Sequence, residues 1–285
     1  MRLQIEHHTG FSYDTPVRAS YNQARMTPVN GPTQTVWSSR LTIEPTAWSH
    51  SSTDYFGTAV TTFELHEPHQ RLSVRSTAVV DTHVVGEDWA ERRHVPDTDA
   101  DWDAVRSRKV TDELAEFLEV GDRTRPHPDL LEAARGTTGA PPRLAGLDVC
   151  ALIADQITYT SGATEVNSSA RDVWELGQGV CQDFSHVAVG ALRSVGLPAR
   201  YVSGYLHPAG SEARVGEAVQ GESHSWVEWW CGEWVAFDPT GMTPIGESYV
   251  RVGHGRDYGD VPPLRGTYAG GGSSMFVTVT ITQLG

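Results

Sequence analysis

The stretch GVCQDFSHVAVGALRSVGLPARYVSGY, Gly179 to Tyr205, decides the fold. Phe184, Val187, Ala188, Ala191, Leu192 and Val195 recur at helical spacing and define one apolar face. Gly196 and Pro198 supply a stop, and Gly177 and Gly179 permit a sharp turn before the start. The spacing predicts a helix over about 181–195, with Cys181 in its first turn, where backbone N–H groups lack intrahelical acceptors. The positive end of the helix dipole favours thiolate, and free N–H groups can hold a developing oxyanion. Asp183, in the same turn, opposes the thiolate if it points inward. Cys181 is therefore either a nucleophile or a buried residue closing the helix start, and the surrounding sequence must discriminate.

A nucleophilic cysteine needs a histidine within reach and a group that fixes the histidine's tautomer. The segment ESHSWVEWWCGEWVAFDPT, Glu222 to Thr240, reads as an aromatic-rich β-hairpin, with His224 near its start and Asp238 near its end. Setting His224 opposite Asp238 leaves the loop Trp230-Cys231-Gly232, with glycine third, as a three-residue turn with a left-handed last position requires. A two-residue Cys231-Gly232 turn turns Asp238 to the other face. The first register is expected. Cysteine at a helix start, histidine on one strand and aspartate on the next compose a Cys-His-Asp triad: Cys181 as nucleophile, His224 as base and acid, Asp238 as orienter. Two rivals use the same residues, a binding scaffold with an unreactive triad and a zinc site built from three ligand types. Asp183 and His186 either line the cleft or are a solvated first-turn acid and a surface histidine. The Cys181 N–H is one oxyanion donor, and Gln178 or an upstream aromatic is the candidate for a second.

Outward from this segment the chain divides into three parts: an N-terminal antiparallel β domain (1–85), a helical connector (86–143) and a core with a C-terminal strand (144–285). Alternating runs such as VTTFEL from Val60 and LSVRSTAVV from Leu72, punctuated by Pro and Gly, mark the first. His7 and His8 are adjacent, so a strand points them to opposite faces, which is poor geometry for one metal ion. VTDELAEFLEV, Val110 to Val120, carries helical periodicity, and GTTGAPPR, Gly136 to Arg143, breaks it. Cys150 sits among apolar neighbours and reads as a small buried hydrophobe. The glycines of YAGGGSSM precede the last strand, and no phosphate-loop lysine follows them. The fold class is α+β.

Composition narrows the function. With 285 residues and 39% apolar content the chain can bury a substantial core. A formal charge of −14 argues against a nucleic-acid partner. Of the 22 basic residues only Lys109 is a lysine. Three cysteines without a CxxC pair indicate reduced thiols rather than disulfides or structural zinc. No apolar leader and no run of about 18 apolar residues is present, so a cytoplasmic protein without a membrane partner is expected. No cofactor or metal is implied, and oligomeric state is not legible.

These blocks resemble the bacterial transglutaminase-like superfamily, which includes cysteine proteases and is related to animal transglutaminases and to papain-type enzymes. Gly179–Tyr205 is similar to that family's nucleophile block, SHSWVEWW to its histidine block and WVAFDPT to its aspartate block, with no departure at Cys181, His224 or Asp238. MRLQIEHHTGFSYDTPVRASYNQARMTP and GRDYGDVPPLRGTYAGGGSSMFVTVTI resemble the two ends of one bacterial branch. The resemblance implies a papain-like core of one catalytic helix on an antiparallel sheet. It also implies a peptide or isopeptide substrate, which an acidic surface would favour in basic or amine-bearing form. The triad serves hydrolysis and amine transfer alike, and water, the default acceptor in an open cleft, is the favoured one.

Overall fold

The computed structural model describes residues 1–83 and 99–285. Six strands come first: β1 (Arg2–Val17), β2 (Ser20–Ala24), β3 (Gln34–Glu44), β4 (Trp48–Thr53), β5 (Ala59–Leu65) and β6 (His69–Thr82). Their alternation settles which side is covered. Leu3 and Ile5 on β1 and Leu72, Val74, Ala78 and Val80 on β6 are buried, while their neighbours in sequence reach solvent or its edge. Of the connector, residues 86–98 lie outside the described residues. Beyond them, short helices α1 (Trp102–Val105), α2 (Arg108–Glu113) and α3 (Pro128–Gly136) lead into α4 (Pro142–Gln156).

The chain then makes β7 (Thr158–Tyr159), α5 (Ala170–Leu176), β8 (Gln178–Gly179) and α6 (Cys181–Ser194). Ser169 and Asp172 cap α5 reciprocally, and Gly177, at φ 67°, ends it in the left-handed region. That turn lets β8 lie parallel to β7, with Tyr159 beside Gly179, immediately before α6. Five strands and a C-terminal pair follow: β9 (Ala199–Leu206), β10 (Ala218–Trp230), β11 (Trp234–Asp238), β12 (Thr243–Pro244), β13 (Tyr249–Gly255), β14 (Leu264–Tyr268) and β15 (Ser273–Gln283).

Two sheets organise the molecule. One runs β12-β11-β10-β15-β1-β6-β3, with β9 on β10 and β13 on β9, and the other runs β14-β2-β5-β4. The last strand lies antiparallel along β1 from Leu3–Gln283 to Tyr13–Ser273. β10 joins the two halves by changing partner. Ala218–Gly221 pair with β15, and Glu222–Trp229 pair with β9.

Helix α6 packs its apolar face on the sheet. Phe184, Val187, Ala188, Ala191 and Leu192 are buried with Val227, Trp229, Val235 and Phe237 and with Val149, Cys150 and Ile153 of α4. The backbone approaches closely at Gly190, where an added Cβ would collide with the Thr124 carbonyl oxygen. The connector is thereby pressed against α6.

The β10–β11 hairpin differs in register from the expectation. Trp230 pairs with Trp234 and Val227 with Phe237, so the three-residue loop is Cys231-Gly232-Glu233, with Gly232 at φ 98° in its middle. Tertiary contacts explain the shift. The Cys231 carbonyl accepts from Ala100 N, and Glu233 reaches the buried Arg143, which draws Glu233 out of the ladder. Because the loop moves one residue along the chain, adding Trp230 to β10 and taking Glu233 from β11, the parity of His224 and Asp238 is preserved and they still share a face.

Candidate active site

Cys181 opens α6 after a backbone turn that the sequence makes in an unusual way. The residue preceding it, Val180, has no side-chain oxygen to cap the helix. The cap is supplied in reverse: Asp183 Oδ2 accepts from Val180 N at 2.8 Å and from Thr164 Oγ1 at 2.6 Å. Gly179 makes room for this, since a Cβ there would lie 2.8 Å from Asp183 Cβ. Asp183 is buried, and burial pushes its carboxyl upward against the pull of those two hydrogen bonds. Asp183 is thus neither a cleft wall nor a solvated acid; it holds the first turn together. His186 is likewise no surface residue. It is fully buried, its Nε2 accepts from Tyr258 N at 3.1 Å, and burial followed by Arg123 and Arg193 lowers it to about 3.

The histidine and aspartate meet. His224 Nε2 lies 2.7 Å from Asp238 Oδ2. Asp238 is buried and fully engaged: Oδ1 accepts from Thr240 N at 2.8 Å, and Oδ2 also accepts from Tyr249 Oη at 2.9 Å. Burial raises Asp238, but the His224 hydrogen bond and charge, with Thr240 and Tyr249, bring it below its ordinary value. Burial lowers His224, and the hydrogen bonds to Asp238 and to Cys181, with the charges of both, overcome this and raise it to about 10. With Nε2 committed to Asp238, Nδ1 is the nitrogen left for the thiol. The structure brings Cys181, His224 and Asp238 together in series, with the imidazole in the middle.

Two tyrosines feel the charge of Cys181. Tyr159, 48% exposed, is raised by burial, then by Glu222 and Cys181, and Tyr201, buried, is raised by burial and then by Cys181. Both keep their hydroxyl protons at neutral pH. Gln178 is exposed. Tyr249 and Thr164 escaped the sequence reading. No spacing signal marks a tyrosine eleven residues beyond Asp238 or a threonine in a loop before α5. Cys150 and Cys231 are buried, and burial raises both thiols. Among the described residues, no group of three or more His, Cys, Asp or Glu is placed to hold a metal ion, and no helix is long and apolar enough to cross a membrane.

Comparison with known proteins bears on the whole chain. Residues 3–81 match the bacterial transglutaminase-like N-terminal region and residues 133–239 the transglutaminase-like superfamily. An uncharacterized protein of Mycobacterium leprae is 39% identical over 285 residues, 99% of each chain. An uncharacterized protein of Mycobacterium tuberculosis is 32% identical over 298 residues, covering 98% of this chain and 91% of the relative. The protein-glutamine gamma-glutamyltransferase of Pseudomonas aeruginosa is 36% identical over 74 residues, 24% of this chain and 11% of that one. The crystal structure of a candidate cysteine protease from Cytophaga hutchinsonii covers 100% of this chain and 91% of its own at TM-score 0.77 and 22% identity, a likeness of fold.

Proposed function

We propose that this chain, which belongs to the transglutaminase-like superfamily, is a thiol enzyme that opens peptide or isopeptide amides through Cys181, His224 and Asp238. The observation that carries the reading is the His224–Asp238 contact of 2.7 Å on an imidazole that also hydrogen-bonds Cys181. The imidazole is placed to take the thiol's proton. Cys181 Sγ attacks the amide carbonyl carbon, and the electron pair moves to the carbonyl oxygen. On collapse the C–N bond breaks, His224 gives its proton to the leaving amine, and a thioester remains. A water molecule, deprotonated by His224, then attacks the thioester and expels the thiolate.

The oxyanion requires donors fixed in advance. The Cys181 N–H, at the helix start, is one, and the candidate for the second is the Tyr159 hydroxyl, on the residue paired with Gly179 just before the helix. The series arrangement of the three residues, rather than convergence on a point, favours this reading over a zinc site. Amine transfer is the second reading, supported by the partial similarity to a glutamyltransferase and by a chain with one lysine. Three free cysteines, two of them buried, support a reducing, cytoplasmic setting.

The test is the rate of Cys181 alkylation by iodoacetamide against pH, followed by peptide mass spectrometry, in wild type and in His224→Ala. Fast alkylation well below pH ~8 in wild type, lost in the variant, is the expected result. Slow alkylation in both, with Cys181 reactive only in denaturant, overturns it. Dimethylcasein with monodansylcadaverine then separates the acceptors: new N-termini report hydrolysis, and dansyl incorporation reports transfer.

A further inference from the structure

One edge of β15 is left open next to the stretch of β10 that leads to His224. β15 has β1 on one side along residues 273–283, whereas on the other side, among the described residues, Val279–Thr282 pair with β10 and Gln283 bridges Val215. Among the described residues, nothing pairs with the outer edge of residues 273–278. β10 abandons that edge at Gly221 and swings to β9, and His224 follows three residues later. The opening between the diverging strands therefore begins where the catalytic strand begins.

This edge lacks the features that usually blunt one. The sequence SSMFVTVTITQ contains no charged residue and no proline, and its register with β1 is continuous, without a bulge. Its apolar stripe also outruns its cover. Val279 and Ile281 are buried beneath Tyr205, Val250 and Val252, but Val277 and Met275, next on the same face, are 44% and 59% exposed. An uncharged, apolar, unbulged edge suits an added strand, which would be held by main-chain hydrogen bonds with apolar side chains at alternate positions.

We propose that the edge of residues 273–278 receives an extended segment of the polypeptide substrate as an additional strand, with apolar side chains resting on Met275 and Val277. The inference rests on the peptide-processing reading above. A strand laid there continues the line that β10 leaves and runs alongside the strand carrying His224. A second copy of the chain is disfavoured as occupant, because each copy brings a formal charge of −14. A cationic peptide is attracted by the same charge.

The test uses acetyl-(Arg-Val-Gln-Val)3-amide, a cationic peptide with apolar residues at every second position, on the Cys181→Ser protein. Hydrogen–deuterium exchange is expected to slow at residues 273–278 when the peptide is bound. Binding is expected to weaken about tenfold or more in Met275→Lys/Val277→Lys, both exposed positions, and with a probe N-methylated at alternate residues. Binding without protection of residues 273–278 overturns the proposal, as does no binding at all, since strand addition reads the main chain. Protection that grows with protein concentration in the absence of peptide also overturns it, because a second copy then holds the edge. His224-dependent alkylation of Cys181, measured separately on the wild type, shows whether the underlying enzyme reading stands whatever the edge does.

Discussion

Tyr249 Oη and His224 Nε2 meet the same carboxylate oxygen, Oδ2 of Asp238, at 2.9 and 2.7 Å. One oxygen of a buried acid thus serves two donors, and the tyrosine draws off part of the charge that otherwise supports the imidazolium. Tyr249→Phe removes the competitor. The His224 titration, followed by NMR of the ring protons, is expected to move upward while the Asp238–His224 contact persists. A purely structural role for Tyr249 would lower stability with no movement of that titration. The lost hydrogen bond to a charged acceptor costs about 1.5–3 kcal/mol in a denaturant melt.

The pH dependence of stability has a defined sign. His224 is raised in the folded state from 6.5 to about 10, so its contribution is complete below pH 6.5 and disappears as pH climbs through about 10. The urea midpoint of the wild type is expected to fall across that window, and the fall should be smaller in His224→Gln. An unchanged slope in the variant would assign the loss to other groups.

Tyr159→Phe separates binding of the thiolate from stabilisation of the oxyanion. The variant keeps the ring and loses the hydroxyl. Alkylation of Cys181 is expected to proceed at the wild-type rate, while turnover of an amide substrate drops by about 10²–10³ in kcat. A rise in KM with kcat unchanged would show that the hydroxyl only binds substrate.

Glu228 makes a different kind of demand. It is buried between Arg200, whose Nε donates at 2.6 Å, and Arg251, whose Nη1 lies at 3.4 Å. Burial raises it, but Arg251 and Arg200 prevail and hold it at about 2, against 4.5 unperturbed. That stabilisation is present above pH 4.5 and is lost as pH falls toward 2. Glu228→Gln leaves two guanidinium groups beside a neutral amide and is expected to cost about 3–5 kcal/mol at neutral pH. The difference from wild type, measured by denaturant melts, should shrink on acidification.

Much of this was legible in the sequence because it depended on local periodicity. The α6 face from Phe184 to Val195 and the alternation in β1 and β6 each carry their own signal, and each appears in the fold. The hairpin register was legible only in parity. Its loop was set by Ala100 and Arg143, residues distant in sequence whose pull no turn rule contains. Asp183 and His186 were misjudged for a related reason: polar residues near a helix start usually face water, and here Thr164 and Tyr258 come from elsewhere in the chain to partner them. Tyr249 gave no signal at all, since only the folded sheet places it against Asp238.

The pairing of β15 with β1 also has a consequence for synthesis. Arg2 N donates to the carbonyl of Gly285, and Leu284 N donates to that of Arg2. During synthesis β1 therefore waits, one edge bare, for β15. A nascent chain halted anywhere before β15 exposes β1, and chaperones would meet it there. Rejoining the two ends and opening the chain at a surface turn such as Gly162 would let β15 and β1 emerge together.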